Sequence, residues 1–438
     1  MIRSWGSWGR TAVIAAMGMS LVLPVSPLSP LSPWTPSAAA AGVSASASAA
    51  AASQAIKIEL DHYALPFDSA PRIDNGVTLV PFRTIAEALG ITVSWDAAAK
   101  TVVAVGKDAD GATAKVVLTL GKKTAVVNGQ EVALTAAPVQ QQGRVLIPMA
   151  FFGRQFGATV EWDGASKTVK IQSPKREMRL MGYYAISSYD QVSRIDSLNA
   201  VAFGWSQIDT YGAFTTTEKP YRLPFADGDV TPESIVQRAE DSYLMVFGVD
   251  GQRQLTKTLT DAAAKEASIE QMVAFAQEKG IGGIMLDYEG LGWKDDSATA
   301  QKQFNGYVSA LSERLKQEGL KLSLVLQPLN GSYKGYDYKT LAGYADEIVI
   351  MAYAYGEEKQ PEPLAKVDEA IRLALAQDVA KEKLMLAVNM DNENETTVGD
   401  KIGLAKRYSL AGVAFWRLGI LTQAELSAID ASVTKIGG

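Results

Sequence analysis

A short apolar run decides the fold of this chain: Gly282-Gly283-Ile284-Met285-Leu286-Asp287-Tyr288-Glu289. Side chains alternate along a strand, so Met285, Asp287 and Glu289 share one face. The residues before Asp287 are apolar on both faces, which is typical of a parallel strand covered by helices. The run therefore predicts a buried parallel strand whose C-terminal end carries two carboxylates.

Seven similar runs occur in the same half of the chain, separated mostly by helical patterns. The eight predicted strands are Arg179 to Ala185, Asn199 to Gly204, Tyr243 to Val249, Gly283 to Glu289, Lys321 to Gln327, Glu347 to Tyr353, Lys383 to Asn389 and Gly412 to Arg417. Eight strands in about 260 residues have the size of a (β/α)8 TIM barrel, which we expect over residues 178–436. An open doubly wound sheet is the alternative, but no glycine-rich phosphate turn follows the first strand.

The two acids are the first candidates for catalysis, because barrel active sites lie at the C-terminal ends of the strands. Carboxylates a few ångströms apart cannot both ionise freely, which raises the pKa of one and keeps it protonated at neutral pH. The alternative is that Asp287 and Glu289 only mark where a strand meets solvent. Strand pattern alone leaves both interpretations open.

Upstream of the barrel, one segment occurs twice at a spacing of 67 residues. Val77-Thr78-Leu79-Val80-Pro81 returns as Val145-Leu146-Ile147-Pro148, and Trp95-Asp96 returns as Trp162-Asp163. A fixed offset marks an internal repeat, here of a strand ending at proline, a short helix and a strand pair. We expect a small duplicated α+β domain over residues 56–173, with both tryptophans packed in its core rather than stacked on sugars.

The N-terminus has the order of a secretory signal: two arginines in the first ten residues, an apolar run over 11–25 and small residues at 37–41. The run is shorter than the roughly 20 residues of a membrane-spanning helix, although an uncleaved anchor is the alternative. We expect a signal peptide at 1–41, a Ser/Ala-rich linker at 42–55, and a secreted or cell-wall-associated protein.

Composition excludes several kinds of chemistry. The chain of 438 residues has no cysteine, a single histidine (His62) and a net charge of −6. Thiolate nucleophiles, Cys/His zinc sites and histidine acid–base catalysis are therefore disfavoured, and we expect no metal and no cofactor. No Lys/Arg cluster suited to a phosphate backbone occurs, which argues against nucleic acid as a partner.

The barrel half resembles family 18 of the glycoside hydrolases, the chitinase family, and especially its spore-germination and cortex-lytic branch. Residues 282–289 resemble the family's fourth-strand signature D-x-x-D-x-D-x-E. Residues 181–184, 350–353 and 412–419 resemble its first, sixth and eighth strands. The duplicated region resembles the N-terminal domain of copper amine oxidases, a stalk of secreted proteins. With a single histidine no copper site is expected there, and the resemblance implies a spacer or wall-association module.

The family resemblance implies substrate-assisted hydrolysis, in which the acetamido oxygen of an N-acetylglucosamine unit attacks its own anomeric carbon. Glu289 would protonate the glycosidic oxygen, Asp287 would orient the acetamido group, and Tyr353 would hydrogen-bond its oxygen. Trp416 would support the sugar ring. The alternative is that Trp416 belongs to the barrel core and that Tyr353 only fills its strand. The other implied substrate-binding residues are Tyr183, Met351 and Gln327. The implied partner is a polysaccharide containing N-acetylglucosamine, with peptidoglycan favoured over chitin.

Three positions depart from the family pattern: Gly282 and Met285 replace signature aspartates, and Ala354 replaces the acid or amide after Tyr353. Met285 cannot exchange a proton with Asp287. Three hypotheses therefore stay open: an active glycosidase, a carbohydrate-binding barrel without turnover, and a structural wall or spore-surface protein. Further aromatic residues either line a sugar groove or lie in loops or core: Trp205, Trp293, Tyr333, Tyr336 and Tyr355.

Overall fold

The structure is a computed structural model that describes residues 56–186, 188–224 and 230–437. The predicted signal peptide and linker lie outside these ranges. The described residues belong to one compact unit. No helix within them has the length and apolar character that a membrane span requires.

Residues 56–173, all of them described, form short strands and two helices arranged in three sheets. The elements are β1 Lys57–Leu60, β2 Tyr63–Ala64, β3 Arg72–Asp74, β4 Val77–Pro81, α1 Phe82–Ala88, β5 Thr92–Asp96, β6 Thr101–Lys107, β7 Thr113–Thr119, β8 Thr124–Val127, β9 Gln130–Ala133, β10 Val139–Gln141, β11 Arg144–Pro148, α2 Met149–Gln155, β12 Thr159–Asp163 and β13 Thr168–Gln172. The strand orders in the three sheets are β12-β13-β1-β2, β10-β11-β4-β3 and β5-β6-β7-β8-β9.

The internal repeat is present in the structure, because β4-α1-β5-β6 and β11-α2-β12-β13 have bounds that differ by 67 residues, apart from the end of β13, which comes two residues earlier than that spacing requires. The two units share a sheet, since β4 and β11 pair antiparallel with Val80 opposite Ile147. They also share a core, in which the rings of Phe82 and Phe152 meet edge to face with centroids 4.8 Å apart. Duplication thus produces one domain with a common core.

The prediction that both tryptophans lie in this core is wrong. Trp95 is 39% exposed and Trp162 is 46% exposed. Both lie on edge strands, β5 and β12, and near the ends of those strands. Phenylalanines from the helices already fill the space between the units, so the indoles remain at the surface.

The C-terminal region is a closed parallel barrel, which confirms the predicted fold class. The strands are β14 Arg176–Ala185, β15 Ala200–Ile208, β16 Phe214–Thr215, β17 Asp241–Val249, β18 Gly283–Glu289, β19 Lys321–Leu326, β20 Glu347–Ile350, β21 Leu384–Asn389, β22 Gly412–Trp416 and β23 Val433–Lys435, of which β16 and β23 are accessory. The strand order around the barrel is β14-β15-β17-β18-β19-β20-β21-β22, and β22 pairs back with β14. The helices are α3 Pro232–Val236, α4 Gln254–Thr260, α5 Ala262–Lys279, α6 Ser297–Gln317, α7 Tyr338–Ala342, α8 Leu364–Leu375, α9 Val398–Arg407 and α10 Gln423–Ser432.

The sixth barrel strand is shorter than the sequence pattern predicts. β20 ends at Ile350, and Tyr353 therefore lies in the segment that follows it. The chain turns there because Ala354 adopts φ 62° and the carboxylate of Glu362 accepts hydrogen bonds from the backbone N–H groups of Ala354 and Tyr355. β19 and β22 each end one residue earlier than predicted.

The barrel interior is a packed core. Among its described residues are five buried methionines: Met181, Met245, Met285, Met351 and Met385. At the opposite rim from Glu289, Arg179 forms ion pairs with Asp241 at 2.8 Å and with Glu347 at 2.9 Å. Methionine is unbranched and adapts to irregular space, so these side chains fill the lumen below the C-terminal mouth.

Candidate active site

Asp287 and Glu289 lie together at the C-terminal end of β18, as the strand alternation predicts. Asp287 is 5% exposed and lies opposite Phe247 of β17 and Val325 of β19 in the sheet register. Glu289 is half-buried and ends the strand. One carboxylate is thus enclosed by the barrel wall, while the other reaches the opening of the mouth.

Glu289 has a polar neighbour from the next strand. The Nε2 group of Gln327, directly after β19, donates a long hydrogen bond of 3.5 Å to Oε2 of Glu289. On the outer side, the hydroxyl of Tyr336 donates to the carbonyl of Tyr288 at 2.8 Å. Burial raises the pKa of Tyr336 well above its ordinary value, and the charges of Glu289 and Asp287 raise it further. This phenol is therefore neutral and holds the end of β18 in place.

The other predicted site residues converge on the barrel interior. Tyr183 and Met351 are buried there, and Tyr353 and Trp416 pack against the same cluster while remaining half-buried. The rings of Tyr183 and Trp416 meet edge to face with centroids 5.2 Å apart. Burial raises the pKa of Tyr183 well above its ordinary value, and the charge of Asp287 raises it further. The structure therefore places these residues around one mouth.

A buried polar network behind the sixth strand was missed from the sequence. Glu362 accepts from Ala354 N at 2.7 Å and from Tyr355 N at 3.1 Å. Glu393 accepts from the backbone N–H of Glu362 at 3.0 Å and pairs with Lys401 at 3.1 Å. The three charged side chains are all buried. No local pattern indicates this role, because the partners come from separate segments that only the barrel brings together.

The further aromatic candidates separate into core and surface. Trp205 and Tyr336 are buried, and Tyr355 is half-buried, with its hydroxyl donating to Asn330. Trp293 is 63% exposed, and its ring centroid lies 5.6 Å from that of Tyr333. These two residues follow β18 and β19, so they present aromatic surface at the rim of the mouth.

Two aromatic residues of the mouth were not predicted. Phe247 lies beside Asp287 in the sheet, and its ring centroid is 4.6 Å from that of Tyr221. The inward alternation of Tyr243, Met245 and Phe247 is a signal that identifies Phe247. Tyr221 comes from the connection after β15 and carries no comparable pattern.

Among the described residues there is no group of three or more histidine, aspartate or glutamate side chains placed to hold a metal ion. His62 is exposed, and its Nδ1 atom lies 2.8 Å from Oδ1 of Asp400. This contact joins the N-terminal region to helix α9 of the barrel.

Residues 179–403 match the family model of glycosyl hydrolases family 18, a span of 225 of the 438 residues. The chain belongs to glycosyl hydrolase family 18. This result confirms the resemblance that the strand motifs indicate. Residues 59–171 match the copper amine oxidase N-terminal domain, which agrees with the resemblance of the duplicated region.

Individual relatives of this family 18 chain are distant. The cortical fragment-lytic enzyme of Bacillus anthracis is 27% identical over 142 residues, which cover 30% of this chain and 31% of that enzyme. The chain thus spans about a third of the length of this curated relative. The C-terminal domain of a putative chitinase from Desulfitobacterium hafniense has a TM-score of 0.50 at 15% identity, covering 58% of this chain and 97% of that one. The similarity to this chitinase domain supports the barrel fold.

A second solved structure, the Bacillus megaterium spore cortex-lytic enzyme, has a TM-score of 0.49 at 16% identity. The matched region covers 69% of this chain and 80% of the Bacillus megaterium chain.

Proposed function

We propose that this protein is a glycosidase that hydrolyses β-1,4 bonds in polysaccharides containing N-acetylglucosamine. The observation that carries the proposal is the placement of Asp287 and Glu289 on one face of β18 at the barrel mouth. The enclosed Asp287 and the more accessible Glu289 suit different tasks, because only the second reaches a glycosidic oxygen from the opening. Membership of family 18 supports the same assignment.

The proposed reaction is substrate-assisted and retains the anomeric configuration. Glu289 gives its proton to the glycosidic oxygen as the bond to the anomeric carbon breaks. The acetamido oxygen of the same sugar forms a bond to that carbon, and Asp287 stabilises the positive charge that develops on the acetamido group. Tyr353 hydrogen-bonds the acetamido oxygen, and the Glu289 carboxylate then takes a proton from the water that opens the cyclic intermediate.

We further propose that the polymer is peptidoglycan of a wall or spore, and that the protein is exported to reach it. The signal-peptide pattern at residues 1–41 and the stalk-like N-terminal region support this location. The similarity to a cortical fragment-lytic enzyme favours peptidoglycan over chitin. The ring pair of the exposed Trp293 and the half-buried Tyr333 supports a polymeric substrate, since it offers stacking surface beyond the reacting sugar.

The test compares the full chain with its Glu289→Gln variant on purified peptidoglycan and on N-acetylglucosamine oligomers. Release of reducing ends is expected to fall by roughly 10²- to 10⁴-fold in the variant, because the general acid is lost. Glu357→Gln, in the exposed loop after β20, is the matched control and should retain activity. Equal rates for the wild type and Glu289→Gln would show that the acid is misassigned.

A carbohydrate-binding barrel without turnover is the second candidate, favoured by the departures at Gly282, Met285 and Ala354. Met285 is fully buried in the methionine-rich interior, and Ala354 carries no polar group. Calorimetric binding of N-acetylglucosamine oligomers with no hydrolysis after long incubation would select this function. Absence of both binding and hydrolysis would instead favour a structural wall protein.

A further inference from the structure

A cleft of about 340 Å³ opens on the N-terminal region beside the half-exposed Trp95. It is bounded by helix α1 and by strands β5 and β11. Its volume lies within the range of ligand pockets, roughly 300–1,000 Å³. The side chains that matter here combine one indole with polar and charged groups: Trp95, Asp68, Arg83, Glu87, Gln140 and Arg144.

The cleft is not a requirement of the repeated fold. Helix α1 lines it with Arg83 and Thr84, whereas the equivalent positions of α2, 67 residues later, are Ala150 and Phe151. Phe151 is buried in the shared core. The two units therefore share a backbone arrangement and a core. The first unit alone combines its surface tryptophan with this polar lining.

The chemistry of the lining indicates the class of ligand. Two guanidinium groups, Arg83 and Arg144, are balanced by two carboxylates, Asp68 and Glu87, and Arg144 Nε lies 2.7 Å from Asp68 Oδ2. A balanced set of charges suits a ligand without net charge. An exposed indole offers a flat apolar surface for a sugar ring, while the planar polar groups can bond hydroxyl and acetamido oxygens.

We propose that this cleft binds the N-acetylated glycan strand of peptidoglycan and holds the protein on its polymer independently of the barrel. The choice of polymer rests on the proposed function, whereas the existence of a glycan site on the N-terminal region does not. The barrel would then cleave strands near the point of attachment. Loss of the cleft should weaken retention on insoluble polymer and spare the hydrolysis of short soluble oligomers.

The experiment uses the full chain carrying Glu289→Gln, so that the polymer is not consumed, and measures its sedimentation with purified insoluble peptidoglycan. Adding Trp95→Ala is expected to weaken binding about tenfold, the equivalent of about 1.4 kcal/mol. Trp95→Tyr should restore most of the affinity, because it keeps a stacking ring. Trp162→Ala, at the equivalent and similarly exposed position of the second unit, is the matched control and should bind like the parent.

Equal affinity of the Trp95→Ala and Trp162→Ala proteins for peptidoglycan would overturn the proposal. Binding to insoluble chitin without binding to peptidoglycan would also overturn it. Hydrolysis of a soluble N-acetylglucosamine oligomer is measured in parallel with Trp95→Ala in the otherwise unchanged chain. Its rate should equal that of the wild type. A protein that hydrolyses nothing but still binds peptidoglycan through Trp95 would refute the enzymatic proposal and support the cleft, so the two failures are distinguishable.

Discussion

Tyr183 combines two features that an interior residue of a barrel rarely shows together. Its hydroxyl oxygen is buried, and within the described part of the chain it has no hydrogen-bond partner. A buried polar atom without a partner costs free energy, roughly 1–3 kcal/mol. The Tyr183 ring contacts that of the half-buried Trp416, and the charge of Asp287 acts on its hydroxyl. This cost is explained if the hydroxyl bonds a substrate group when the mouth is occupied.

Tyr183→Phe separates this interpretation from a packing role. The substitution removes only the hydroxyl, so the free energy of unfolding should stay unchanged or rise slightly, because no protein hydrogen bond is lost. We expect kcat/KM for N-acetylglucosamine oligomers to fall about tenfold, the loss of one hydrogen bond to substrate. Chemical denaturation and steady-state kinetics measure the two quantities. Unchanged kinetics would assign Tyr183 to packing alone.

Met285 shows how a single residue changes the expected chemistry of the site. It shares a face with Asp287, one pleat deeper in the barrel, and it is surrounded by other apolar side chains. A thioether cannot accept or release a proton, so the side chain at position 285 cannot exchange one with Asp287. The proposed mechanism therefore uses Asp287 as a fixed charge rather than as a proton carrier.

At the scale of elements, the segment after β20 decides where Tyr353 lies. Ala354 has a left-handed backbone conformation, which costs an alanine roughly 1 kcal/mol or more. Glu362 offsets that cost by accepting two backbone hydrogen bonds. The ion pair of Lys401 with Glu393 holds Glu362 through its backbone. Glu362 thus stabilises the turn that places Tyr353.

Glu362→Ala is expected to displace Tyr353 and to lower kcat by about 10- to 100-fold, since small misplacements of catalytic groups are costly. KM should change less than kcat. Glu362→Gln keeps one acceptor oxygen and should recover part of the loss. Glu358→Ala, in the same loop but exposed, is the control. If the losses in kcat merely followed losses in melting temperature across the three variants, the positioning role would be wrong.

At the scale of the whole molecule, the two regions are joined through arginines and backbone carbonyls. Arg407 of α9 donates to the carbonyls of Leu60 and Tyr63 at 3.1 and 2.9 Å, and its guanidinium lies 5.0 Å from the Tyr63 ring centroid. Arg176 bridges the carbonyls of Leu89 and Lys406. The planar guanidinium suits such contacts, which hold the N-terminal region against one side of the barrel.

The ion pairs at the lower rim of the barrel predict an acid-dependent stability. Burial raises the pKa of Asp241, but hydrogen bonds from Lys321 and Arg179 outweigh it, so the pKa lies below its ordinary value of 3.8. A lowered acid pKa contributes stability above that value, and the contribution is lost as pH falls through the folded-state pKa.

Asp241→Asn should therefore lower the free energy of unfolding by about 1 kcal/mol at pH 7, a modest value because the pair is partly exposed. The difference from the wild type should shrink as the pH is lowered from 5 towards 3. Urea unfolding at each pH measures it. Asp378→Asn removes the fully exposed pair with Lys339 and should show no measurable change. A difference that persists unchanged at pH 3 would contradict the assignment.

Local sequence pattern was sufficient to predict the repeating features of this protein. The barrel follows from eight apolar runs, and the duplicated domain follows from a spacing of 67 residues. Both are periodic properties of the chain, and the alternation along β18 likewise placed Asp287 and Glu289 on one face. Strand ends were less predictable, because the turn after β20 depends on a carboxylate eight residues further along the chain.

Only the tertiary structure decided which side chains share a space. Trp95 and Trp162 have the sequence pattern of core residues, yet phenylalanines from both helices fill that core and leave the indoles exposed. Tyr221, Glu393 and Lys401 join the mouth and its supporting network from distant segments. Alternation and repeats are properties of residues that are close in the chain. Burial and side-chain contacts depend instead on how separate elements pack together in the same close-packed interior.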